Sequence, residues 1–420
     1  MDGKTKHPLG FNQRIAIVGA GATGLTAAES LKQKGYQHVT LFESTDHAGG
    51  KCLSIDIDSK SYELGAGVLT IDNEVPLRLA KKYHIPLERV VYGNNLYVDQ
   101  DGKPMPIWSF LRQFRILWQL LFRYRPLLNK YKEIESPGFL NLHPEITVPF
   151  KQFAKENKIT ELANLFNLYL TGFGYCYTNH VPTAYVLKYA NWKTICAYLR
   201  KKVYIFPNGI QTLWTRIAEG HDVRYNAMIC DIVREDHSVV IETGSGKETF
   251  DSLILTTPLD EVERFMAITE EEKSLFKHIV TLDYQTILCS LKGFPRKGGF
   301  VPGNFSRRRA GHPVFWYYRQ PDSNIFSFYV LADKTMDRKV ILQNLKDFVG
   351  KLGGEIEEVL QYIDWKYFPH VGSDPLREGF YERMEQIQGQ NHTYYMGELL
   401  NFSCIGFTCR YAEDLVNRYF

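Results

Sequence analysis

Three glycine clusters and one acid carry most of the chemistry that can be read along this chain. Gly19, Gly21 and Gly24 have the spacing Gly-x-Gly-x-x-Gly, and Glu43 follows about 20 residues later. The stretch "FESTDHAGGKC" then brings a second pair, Gly49 and Gly50, with Lys51 directly behind, and "SYELGAGVLT" a third, Gly65 and Gly67 around Ala66. Glycines in the first spacing let the backbone turn tightly and approach a pyrophosphate closely. They also let the following helix pack on its strand, so that its first N–H groups, from Ala22 and Thr23 onward, face the phosphates. A carboxylate at the position of Glu43, beside Ser44, can accept hydrogen bonds from ribose hydroxyls.

The elements that must position these residues can be read on both sides. Ile15 to Val18 form an apolar strand, Leu25 to Lys34 are helix formers stopped by Gly35, and the next apolar run ends at Glu43. That unit serves NAD or FAD equally. The later glycines bear on the choice, because main chain drawn in at Gly49, Gly50 and Lys51, and again at Gly65, Ala66, Gly67 and Val68, suits a ligand extending beyond its pyrophosphate. FAD is such a ligand, and Lys51 is expected near the pyrophosphate.

The chain has 420 residues, of which 44% are hydrophobic and 14% aromatic, enough for two or three domains with sizeable cores. A net charge of +3 is too slight to indicate a nucleic-acid partner. Seven cysteines form no pair or cluster with zinc-ligand spacing, which fits free thiols in a reducing compartment. Without a recognisable signal segment or a long apolar run, a cytoplasmic protein is expected, monomeric or homodimeric. His84, His180, His312 and His370 have no spacing that makes a metal site or a catalytic triad.

These motifs resemble the flavin amine oxidase superfamily. The likeness continues in "FPNGIQTLWTRIAEG", in the strands and turns of "MICDIVREDHSVVIETGSGKETFDSLILTTP", and in the closing "YYMGELLNFSCIGFTCRYAEDLVNRYF". It implies an α/β fold: a Rossmann-like FAD domain of the amine oxidase type, a mixed β-sheet substrate domain and a helical cap. The FAD domain would be assembled from residues 1–75, 205–262 and 388–420, with residues 76–204 as a mainly helical cap and residues 263–387 as the substrate sheet. By the same likeness the main chain at Ile229 touches adenine, Gly397 and Glu398 lie near the phosphates or ribityl chain, and Ile405 to Phe407 near the flavin ring.

Within the superfamily, "FESTDHAGGKCLS", "GFGYCYTNHVPTAYVLKYAN", "WKYFPHV" and the final "NRYF" are most similar to the bacterial FAD-dependent polyunsaturated fatty acid isomerases. That implies movement of a double bond in a linoleate-like free fatty acid, with the flavin carrying the chemistry and no catalytic side chain. An amine or small-metabolite oxidase is the alternative. The superfamily's covalent members attach flavin through a cysteine shortly before Tyr-Phe-Pro. Here "QYIDWKYFP" has none, Ile363 standing in that stretch, so FAD is expected to be non-covalent. The lysine that amine oxidases place near the reactive flavin nitrogen is aligned with Thr286.

On the substrate side Tyr175, Tyr177, Tyr198, Tyr204, Phe206 and Trp365 are candidate walls of an apolar tunnel, since rings bury much area and exclude water. Arg89 and the run Arg307 to Arg309 are candidates for holding a carboxylate. In "FLRQFRILWQLLFRYR", residues 110–125, Arg112, Arg115, Gln119 and Arg123 share one sector of a helix, with Phe110, Phe114, Leu117, Trp118 and Leu121 opposite. Such a helix can lay its apolar side on the core or on an anionic membrane surface. The core is the commoner destination and is the one expected here.

Overall fold

In the computed structural model, residues 10–90, 95–106 and 110–420 are described, except for the side chain of Phe110. A five-stranded parallel sheet has the order Thr393–Tyr395, Ser252–Leu255, Arg14–Val18, His38–Phe42, Asp222–Arg224. Its central strands are buried on both faces: Ile15, Ala16, Ile17, Leu253, Ile254 and Leu255 have no exposed surface. That is why they read as unbroken apolar runs and not as alternating ones. The helix Ala22–Lys34 returns the chain between the first two strands and packs against the closing helix Ile405–Tyr419. The C-terminus is pinned there by Tyr36, whose hydroxyl donates to Phe420 O at 2.9 Å.

A second, six-stranded sheet has the order Glu355–His370, Val280–Lys292, Ile325–Ala332, His312–Tyr317, Gly299–Phe300, Leu96–Tyr97. It is antiparallel except for its last pair. One face packs against the helix Arg338–Lys351 through Trp316, Phe328, Leu345 and Phe348. The other carries Tyr284, Phe315, Tyr329, Trp365 and Tyr367 toward the centre of the molecule. Period-two alternation on long strands thus divides an aliphatic and aromatic core from a wall of rings.

Helices Phe150–Glu156, Thr160–Gly172, Thr183–Tyr189 and Trp192–Leu199 close the space above that wall. The segment expected to be mainly helical also contributes strands. Glu88–Val90 pairs with Val203–Ile205, and Leu96–Tyr97 joins the edge of the six-stranded sheet. Both are short edge pairings with no periodic signature of their own.

The stretch 110–130 is helical, with a turn of π-helix at Leu120–Tyr124. Its orientation corrects the sequence reading. Ile116, Leu120 and Tyr124 face the core, whereas Phe114 (63%), Leu117 (51%), Trp118 (42%) and Leu121 (38%) remain exposed. A narrow, separate apolar strip was enough to seat the helix, so the larger strip was left outside. No helix among the described residues is long and apolar enough to cross a membrane.

Candidate active site

Two cavities meet at the centre of the molecule. The longer, of about 450 Å³, runs along the C-terminal ends of the parallel strands and is lined by Gly19, Gly21, Ala22, Thr23, Glu43, Ser44, Gly49, Gly50, Ile229, Gly397 and Glu398. The second, of about 130 Å³, is lined by Gly65, Ala66, Gly67, Val68, Ile405, Phe407 and a cage of aromatic rings. Lys51, Ala66, Tyr367, Ser403, Cys404 and Ile405 belong to both walls, so the groove opens directly into the chamber. Of the residues expected at the cofactor Gly24 and Gly406 lie on neither wall; Gly24 packs the helix onto its strand, where an added Cβ would sit 2.0 Å from Gly19 O.

The second glycine pair is sewn to the first turn. Gly49 N donates to Ala20 O at 3.0 Å, and Gly49 has φ +119°, a conformation costly for any residue with a Cβ. Glu43 braces the same turn: one carboxylate oxygen accepts from Ala20 N at 2.9 Å, the other from Thr45 N at 3.0 Å and from Thr45 Oγ1 at 2.9 Å. The acid therefore shapes the loop as well as lining the groove. The helix that begins at Ala22 has no side-chain cap and no acid in its first turn, leaving its positive end available to an anion.

Lys51 is placed at the joint between groove and chamber. Its ammonium pairs with Glu398 at 2.8 Å and lies 5.4 Å from the centre of the Tyr367 ring. Lys51 is the only Lys or Arg on the chamber wall among the described residues.

Tyr175, Tyr198 and Trp365 stand on the chamber wall, and Trp365 Nε1 donates to Leu64 O at 2.7 Å, which fixes its ring. Phe206 does not: it is fully buried in the main core. Arg89 is exposed and donates to Lys201 O at 2.8 Å and Arg200 O at 2.9 Å, outside the chamber. Tyr177 and Tyr204 are absent from the wall, and the run Arg307–Arg309 forms a short helical turn elsewhere. In their place the chamber uses Phe173, Tyr189, Tyr284, Phe315, Tyr317, Tyr329 and Tyr367. No local signal marks these rings, because strand pairing selects which faces meet the cavity.

Burial pushes the phenols of Tyr175, Tyr189, Tyr198, Tyr284 and Tyr367 well above their ordinary range, so they stay protonated. The Cys404 thiol is likewise pushed up to about 12 by burial. Glu63, beneath the Gly65–Val68 turn, is held in a buried pair with Arg319 at 2.8 Å. His370 is buried outside both cavities, its Nδ1 2.9 Å from Phe368 O, and burial lowers it to about 4. Thr286 is fully buried in the six-stranded sheet and does not reach the chamber wall.

Three buried hydroxyls on groove residues, Thr257 Oγ1, Thr281 Oγ1 and Ser403 Oγ, have no hydrogen-bond partner among the described residues. Unpaired buried hydroxyls in a long groove beside an open helix terminus fit a large cofactor rich in acceptors. A family model for flavin-containing amine oxidoreductases matches residues 22–392. The chain belongs to the flavin-containing amine oxidoreductases. FAD is accordingly its cofactor, and the groove and the glycine turns suit its length.

Among solved members of this fold, a CLA-producing fatty acid isomerase from P. acnes is similar over 98% of this chain and 100% of that one, with 29% identity and a TM-score of 0.93. A mitochondrial protoporphyrinogen oxidase from Nicotiana tabacum is 25% identical over 71% of this chain and 68% of its own length. A polyenoic fatty acid isomerase from Ptilota filicina shares 42% identity over 60 residues, 14% of this chain and 12% of that protein. Putrescine oxidase bound to putrescine, with a TM-score of 0.71 and 15% identity over 97% of this chain and 98% of that one, shares the fold.

Proposed function

We propose that this flavoenzyme moves a double bond in a polyunsaturated fatty acid of the linoleate type, giving a conjugated product. The observation that carries this reading is the chamber: a narrow, ring-lined space opening from the cofactor groove, with its one cation already paired. The close similarity to a fatty acid isomerase over the whole chain supports it.

Bound FAD supplies a hydride acceptor that can give the hydride back, so a double bond can migrate without net oxidation. The chain's own part is to hold the acyl chain and to keep water away. Removing a hydride from the carbon between two double bonds leaves a delocalised allylic cation, which water would capture. Aromatic rings stabilise such a cation, and the chamber is walled by rings, Tyr175 and Tyr367 among them. The phenols, protonated by burial, take no proton from the cation, and the two acids on the wall are engaged elsewhere, Glu63 with Arg319 and Asp72 as acceptor from Thr194. Return of the hydride to a different carbon of the same chain restores neutrality.

The alternative is net oxidation of an amine or another small metabolite. The FAD-loaded protein is incubated with linoleate without oxygen. Conjugated-diene absorbance without peroxide is the expected result. Bleaching of the flavin by an amine, followed by peroxide on admitting air, would overturn the isomerase reading. Lipid binding without turnover would overturn it in favour of a carrier.

A further inference from the structure

The helical stretch 110–130 seats itself on Ile116, Leu120 and Tyr124, the last donating from its hydroxyl to Ala190 O at 2.9 Å. Leu111, Phe114, Leu117, Trp118, Leu121 and Phe122 are left 38–71% exposed along the opposite side. Single exposed apolar residues need no explanation, but a continuous strip of six marks a binding face.

The segment that carries the strip has charge of one sign, and the acid bordering it, Glu161, lies 3.5 Å from Arg112. Residues 102–132 contain no Asp or Glu and seven Lys or Arg. Arg115 is exposed beside the strip, and the Arg123 guanidinium lies 5.2 Å from the centre of the Trp118 ring. Arg125, at its end, lies 4.9 Å from the centre of the Trp192 ring. Aromatic and aliphatic side chains flanked by arginines complement the boundary between acyl chains and anionic headgroups.

Trp192 leads to the chamber. It begins the helix Trp192–Leu199, which presents Thr194 and Tyr198 inward to the chamber. Outward, the same helix borders a surface cavity of about 390 Å³, lined also by Lys193, Arg200 and Lys202 and by Glu74, which pairs with Lys193 at 3.1 Å. Asp72 belongs to both spaces, its carboxylate accepting from Thr194 Oγ1 at 2.6 Å, so the helix and the Thr70–Asn73 segment form a shared wall between them.

We propose that the face formed by residues 111–125 docks on the surface of an anionic lipid bilayer. Docking brings the cavity at Trp192 to the headgroup layer, where an acyl chain can pass Asp72 into the chamber while its carboxylate stays beside Arg200 and Lys202. The route rests on the fatty-acid reading of the active site; the docking does not.

The FAD-loaded protein is tested by flotation with vesicles of phosphatidylcholine alone or with one third phosphatidylglycerol. It is expected to float with the anionic vesicles and to be released by salt. The double variant Trp118→Glu, Leu121→Glu should lose roughly a hundredfold in partitioning, about tenfold for each apolar contact removed, while keeping its flavin spectrum and melting temperature. Arg115→Gln with Arg123→Gln should weaken binding to anionic vesicles and leave binding to neutral ones unchanged. Failure of the parent protein to float, or flotation of the Glu variant equal to the parent's, overturns the proposal. So does a lipid-independent dimer abolished by the Glu pair, which would assign the face to a second copy. Vesicle binding is read without substrate, so absence of isomerisation with intact flotation would refute only the route and the reaction.

Discussion

Replacing Arg319 by leucine should cost the protein stability in a pH-dependent way. The Glu63 and Arg319 side chains are each 3% exposed, and Arg319 Nη1 lies 2.8 Å from Glu63 Oε1. Glu63 also accepts from Ser54 Oγ and, at 3.1 Å, from Ile210 N, while a second Arg319 nitrogen donates to Phe206 O. Burial raises the Glu63 carboxyl above its ordinary value, and the nearby guanidinium opposes that rise. An acid raised in the folded state binds more protons there than in the unfolded chain, so its contribution to stability falls as pH rises through that window. Without Arg319 the window extends upward, and at pH 8 a buried carboxylate is left without its counter-ion. Breaking such a pair costs about 3–5 kcal/mol. With about 2.1 cal/mol/K of unfolding entropy per residue, a 420-residue chain loses roughly 1 °C per kcal/mol, so the melting point should fall by about 4–5 °C. At pH 5 the acid can take up a proton, and the fall should shrink to about 1–2 °C, the value of the lost hydrogen bonds. Glu63→Gln in the same chain should recover most of the loss at pH 8.

The assay is release of flavin fluorescence on heating, at pH 5 and pH 8. Because the Glu63 side chain packs against the Gly65–Val68 turn, where a Cβ on Gly67 would meet Glu63 Cγ at 2.3 Å, FAD affinity should fall together with stability. Equal losses at both pH values, or no recovery in the double variant, would show that the unpaired Glu63 charge is not what destabilises the protein.

Gly49→Ala should purify with little FAD, because its Cβ would lie 2.8 Å from Cys52 O at φ +119°; the flavin-to-protein absorbance ratio reads this, and a normal ratio would show that the turn yields. Acid precipitation should leave the yellow flavin in the supernatant. Cys52 and Cys404 line the groove, but burial raises both thiols and keeps them protonated, so colour in the pellet would point to an attachment at one of them.

The cofactor groove was legible because its demands are local. Gly19, Gly21 and Gly24 make one turn whose spacing is legible in the chain, Gly49 and Gly50 close on that turn, and the buried parallel strands must be apolar on both faces. The chamber was only partly legible: Tyr175, Tyr198 and Trp365 reached it, while Phe206 went to the core and Arg89 to the surface. Ring content says how much aromatic surface exists, not which faces converge.

The helix at 110–124 makes the same point. Its periodicity pointed to the side of Phe114, Leu117, Trp118 and Leu121 as the buried one, whereas the fold buries Ile116, Leu120 and Tyr124 and leaves that side outside. Nor could the Glu63–Arg319 pair, 256 positions apart, be anticipated from spacing. What the sequence by itself determined was the nucleotide-binding unit and its cofactor, because turns, caps and strand periods act over short distances. The tertiary structure alone decided the chamber walls, the buried Glu63–Arg319 pair and which side of the helix at 110–124 stays exposed, because those depend on pairings between segments far apart in the chain.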